Sequence, residues 1–116
     1  MDSDKEMAEY IYSILLSQPT ILMSWGFQHP TIIKSTEYKD GGLKFMVSGL
    51  IFKGWVHILY NVGADLFDIK LITGKGVERK FIEGVYFDEL VSVIDENVER
   101  VENYDEAIKK NYSKRG

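Results

Sequence analysis

The chain has 116 residues, of which 45% are apolar, 13% aromatic and 28% charged, and a formal net charge of −4; this balance excludes intrinsic disorder, which needs few aromatics and a high charge. It contains no cysteine, which excludes disulfides, cysteine-ligated zinc and thiol catalysis. No stretch reaches the roughly 18 consecutive apolar residues of a membrane helix, and the acidic opening Met1-Asp2-Ser3-Asp4-Lys5-Glu6 is unlike the basic start of a signal peptide, so the expectation is a single cytoplasmic domain over residues 1–116.

Ser3-Asp4-Lys5-Glu6 matches a capping box, in which the hydroxyl and the glutamate satisfy free backbone N–H groups reciprocally. Met7, Ile11, Ile14 and Leu15 follow at helical spacing and form a core-facing stripe. Pro19 ends this helix near Ser17, because the residue before a proline avoids helical angles. Residues 20–30, apolar but interrupted by Gly26 and Pro30, read as a packed connector. A meander follows. Thr31–Tyr38 is rich in β-branched and aromatic side chains and ends at Asp40-Gly41, a tight-turn dipeptide. Leu43–Phe52 and Trp55–Val62 are the next strands, parted by Lys53-Gly54. Leu66–Thr73 and Val77–Ile82 come last, joined by Gly74-Lys75-Gly76. Within Trp55–Val62, alternation puts Val56, Ile58, Tyr60 and Val62 on one face and Trp55, His57, Leu59 and Asn61 on the other. Connections this short exclude helical crossovers, so the strands are antiparallel.

Phe87, Leu90, Val91, Ile94, Val98 and Val101 form a second helical stripe. Asp88 and Glu89 stand in its first turn, where the helix dipole favours negative charge. Tyr104, Ala107, Ile108 and Tyr112 form a shorter stripe. A sheet with one apolar face must cover it. The predicted architecture is therefore α+β: an N-terminal helix, an antiparallel β-meander of four to five strands, and two C-terminal helices packed on one sheet face. The helix-then-meander order resembles cystatin-like folds in topology alone, and no site residue carries over from it.

Charge is uneven along the chain. Residues 1–29 carry −3, residues 30–81 carry +3 from eight bases and five acids, and residues 82–116 carry −4. Such a basic middle marks either a surface with a partner preference or the solvated faces of ordinary elements. Motifs for chemistry are missing. His29 and His57 lack metal-ligand spacing. Gly74-Lys75-Gly76 joins two strands and is a hairpin turn, not a phosphate loop. Asp65-Leu66-Phe67-Asp68 lacks the alternate ligands of a calcium loop, and no serine or threonine sits in a nucleophile elbow. No catalytic residue, metal site or cofactor is assigned.

Aromatic placement carries the remaining signal. In an extended segment, Met23, Trp25, Phe27 and His29 share a face; Lys53, Trp55 and His57 share another, with Lys44, Lys70 and Lys80 nearby. Tryptophan on an uncovered sheet face points to a partner, unless residues 20–30 fold across it and bury Trp55 within the monomer. The expected interaction surface is Trp25, Phe27, His29, Lys53, Trp55 and His57. The leading expectation is a non-enzymatic module that meets a protein partner or a second copy of itself. One alternative is a nucleic-acid-associated accessory protein that binds through the mildly basic sheet region, where aromatics interleaved with bases allow stacking and phosphate contacts. Another is a small ligand or substrate held between sheet and helices. No membrane partner is expected.

Overall fold

A helical opening leads into five strands and a closing helix in the computed structural model, which describes residues 3–35 and 41–99. Helix α1 (Ser3–Leu16) is followed by a short helix α2 (Pro19–Ser24). Strands β1 (Gln28–Ile33), β2 (Gly42–Ser48), β3 (Lys53–Asn61), β4 (Leu66–Ile72) and β5 (Glu78–Val85) come next. A 3-10 turn (Phe87–Glu89) then runs into helix α3 (Leu90–Val98). The strands lie in the order β1-β2-β3-β4-β5, each antiparallel to its neighbour. The predicted α+β architecture with an antiparallel meander is therefore observed, at the upper strand count. Of the two C-terminal helices expected, the stripe from Leu90 to Val98 is α3; the Tyr104–Tyr112 stripe, Val101 and the Asp40 turn lie outside the described residues.

The core forms where the helices meet one face of the sheet. Ala8, Ile11 and Leu15 of α1 pack with Leu90, Ile94 and Val98 of α3 against Leu43, Phe45, Val47, Val56, Ile58, Phe67, Ile69 and Leu71 of the strands. These strand residues alternate, as a half-covered sheet requires. Each fully buried aliphatic side chain contributes about 1.5–3 kcal/mol through loss of water contact. Among the described residues no helix is long and apolar enough to cross a membrane.

Residues 20–30 differ from the expected connector. Pro19 ends α1 but also opens α2, occupying a first-turn position where its missing N–H costs nothing. The chain then enters β1 three residues before the expected start, at Gln28. Pro30 is tolerated there because β1 is an edge strand and one side of its backbone needs no partner. The register of β1 against β2 breaks between Gln28 and Thr31, and His29 takes a left-handed φ of 54°.

Hairpin chemistry holds the remaining turns. The Ala64 amide donates to Asn61 Oδ1 at 3.2 Å, and the Asp65 amide donates to the Val62 carbonyl at 3.3 Å. The Gly76 amide donates to the Thr73 carbonyl at 2.8 Å, with Gly76 at φ 88°. The β2–β3 turn has a further task. The Ile51 and Phe52 amides donate to the Val98 carbonyl at 2.9 and 3.2 Å, and the Leu50 amide donates to Glu99 Oε2 at 2.8 Å. A helix ends with carbonyls that have no partner inside the helix, and here a turn distant in sequence satisfies one of them. Gly49 permits this approach: a β-carbon there would collide with the Val98 carbonyl.

Candidate interaction face

Both major helices lie on one side of the sheet, so the alternate residues of each strand point away from them. Cross-strand register arranges these residues in rows. One row runs Lys44, His57, Lys70 and Phe81 across β2, β3, β4 and β5. The adjacent row runs Met46, Trp55, Ile72 and Glu78. On the other side of His57, Leu59 stands opposite Asp68. Asp68 is buried, and its Oδ1 accepts a hydrogen bond from the Gly84 amide at 3.2 Å.

The face pairs cations with rings. Lys44 Nζ lies 5.5 Å from the centre of the Trp55 ring, and Lys70 Nζ lies 5.5 Å from the centre of the Phe81 ring. Both distances fall within the range of cation–π attraction. Lys70 also meets Glu78 at 3.5 Å, but that pair is solvent-exposed and contributes little. His57 is half-buried between the two lysines. Burial first, and then the charges of Lys44 and Lys70, hold its imidazole below the usual histidine range. A second positive charge between two ammonium groups is unfavourable, so His57 resists protonation.

The expected surface residues separate into two groups. Lys53, Trp55 and His57 do share the face turned away from the helices, with Lys53 exposed at its margin. Trp25 does not belong with them. It is fully buried on the helix side, its ring stacked on Phe45 at 6.3 Å and 6°. Its indole N–H donates to Asp95 Oδ1 at 2.9 Å, the partner that a buried tryptophan needs. Phe27 is also on the helix side, half-buried, stacked on Tyr12 at 5.7 Å and tilted against Phe45 at 4.6 Å. His29 is exposed on the edge strand. The physical reason is α2: residues 19–24 coil rather than extend, which removes the alternation that had aligned Met23, Trp25, Phe27 and His29. These residues therefore do not cover Trp55.

Lys44 and Lys70 join the row as expected, whereas Lys80 turns to the helix side, where its Nζ donates to Asn97 Oδ1 at 2.6 Å. Lys80 pairs with Leu71, a core residue under the helices, so parity puts it on that side, and the register break beyond it sets Glu78 opposite Ile72. Phe81, Met46 and Ile72 were not anticipated. Register was the missing signal, since alternation within one strand does not show which residues stand opposite. Among the described residues no group of three or more histidine or acidic side chains is placed to hold a metal ion. His57 is also absent from the cavities walled by Tyr10 and Phe87 on the helix side. Comparison of the chain with protein-family models, with curated proteins and with solved structures finds no match.

Proposed function

We propose that this protein is a non-enzymatic binding module that docks an acidic protein segment on the outer face of its sheet. The observation that carries the reading is the row Lys44–His57–Lys70, flanked by Trp55 and Phe81, on a face to which neither α1 nor α3 contributes. Aromatic side chains give large contact area at small entropic cost, and flanking cations select a negative partner. The protein's own charge of −4 makes a locally basic patch more selective, because acidic partners are repelled elsewhere. The cysteine-free chain suits a cytoplasmic setting.

Fluorescence anisotropy of a labelled Glu- and Asp-rich peptide tests this. Saturable binding is expected, weakened by Lys44→Glu and Lys70→Glu, and weakened by Trp55→Ala more than that change lowers the melting temperature. A large loss of thermal stability in Trp55→Ala, with affinity unchanged, would instead place Trp55 among the stabilising residues and sink the proposal. A second reading, single-stranded nucleic acid, is favoured by the pairing of each lysine with a ring, since phosphate contact and base stacking need those two groups side by side. An oligonucleotide in the same titration decides it. Tight binding that weakens steeply with added salt, through release of counterions, would replace the acidic peptide with nucleic acid.

A further inference from the structure

A separate feature lies on the helix side, where the β3–β4 turn, the start of α1 and the 3-10 turn converge. It is a cavity of about 490 Å³, a volume typical of small-molecule sites. Its walls are mostly aromatic: Tyr10, Tyr60, Phe67, Tyr86 and Phe87. Tyr10 and Phe67 lie 6.5 Å apart at 31°, and Tyr60 and Phe67 lie 5.5 Å apart at 55°. Rings tilted in this way make a concave wall instead of a flat stack. Tyr10, Tyr86 and Phe87 are about half exposed, at 48%, 58% and 57%. Three large rings left open to water at one place are uncommon without a ligand or partner.

The same wall holds Asp65, and among the described residues that line it Asp65 carries the one formal charge. The Tyr60 hydroxyl donates to Asp65 Oδ1 at 2.6 Å, which fixes the carboxylate beside the rings. Asp65 also takes a left-handed φ of 54°, a conformation that aspartate and asparagine accept more readily than other side chains. A smaller cavity of about 320 Å³ shares the Tyr10 and Phe87 walls and adds Asp88, so the neighbouring space is acidic as well.

We infer that this cavity binds an alkylated ammonium ion. Ring faces carry negative potential and attract a diffuse cation. The Asp65 carboxylate adds a full charge, and the alkyl groups fill apolar volume that a hydrated ammonium would leave wet. An anion meets a carboxylate and several aromatic rings there, and a neutral ligand gains no charge–charge attraction from Asp65. The inference is independent of the outer sheet face, on the opposite side of the sheet.

NMR titration of the whole chain with choline tests it, with 3,3-dimethylbutanol as the neutral isostere. Choline should shift signals of Tyr10, Tyr86 and Phe87 saturably, and the isostere should bind at least about tenfold more weakly. Asp65→Asn keeps a side chain suited to the left-handed backbone and removes the charge; it should weaken choline by about fivefold or more. Tyr86→Ala and Phe87→Ala, at exposed positions, should lose binding with the melting temperature unchanged. A peptide carrying trimethyl-lysine, titrated in parallel, distinguishes a protein side chain from a free molecule as the source of the cation; tighter binding of either supports the ammonium site. Equal binding of choline and its isostere, unchanged affinity in Asp65→Asn, or no saturable shift at these rings would overturn the inference.

Discussion

Trp25 and Trp55 have the same side chain and opposite fates, and the difference comes from what precedes each. Trp55 sits in a strand whose burial alternates from Lys53 to Ile58, so its face was legible from sequence. Trp25 follows a six-residue helix that its own residues do not announce, and the turn of that helix directs the indole into the core. The buried indole and Asp95 are far apart in sequence and meet only through packing, which no local pattern reveals. His57 shows the same limit. Its face followed from parity, but its environment depends on Lys44 and Lys70 arriving from two other strands. That environment has a thermodynamic consequence. The folded imidazole has a lowered pKa, whereas in the unfolded chain it titrates near the usual value of about 6.5. As pH falls through that value, the unfolded chain binds a proton that the folded chain refuses, so stability declines and then levels off below the folded pKa. Urea midpoints measured from about pH 7 to about pH 5 should therefore fall more in the wild type than in His57→Gln; parallel curves would show that His57 does not contribute.

At the scale of elements, the sequence was most informative where turn chemistry was strong. Gly63-Ala64 and Gly74-Lys75-Gly76 lie between strands where expected. Boundaries were less legible. The second strand stops at Ser48 instead of Phe52, because residues 49–52 leave the sheet to meet the end of α3. The last strand extends to Val85, with Gly84 at φ 70° facing the buried Asp68. Both deviations are made by tertiary partners that a single run of residues cannot specify. The turn-to-helix junction gives a direct prediction. Gly49→Ala should cost about 2 kcal/mol, because the added methyl group forces the turn off the Val98 carbonyl and overpacking of this kind has no room to relax. Urea denaturation measures the loss. A wild-type midpoint would mean that the junction yields freely.

For the whole molecule, the lopsided layering was legible, since one sheet face and two helix stripes must find each other and short connections leave a meander as the arrangement. That none of the described helices covers the second face was not, because it depends on where residues 19–27 go. The edges limit what that face can do. Proline and a register break interrupt β1, and two register breaks interrupt β5, so neither edge offers a long regular ladder to another chain. Any self-association should close face to face as a two-fold pair. Sedimentation at rising concentration should then give monomer passing into a saturating dimer that Trp55→Ala weakens, and an open series of larger species would contradict it. The bonds from Ile51 and Phe52 to Val98 also set a clock. Those two amides belong to a surface turn and are shallow in space, yet they can exchange with solvent only when the closing helix lets go. Their rate of hydrogen exchange reports how often the distant end of the fold comes undone.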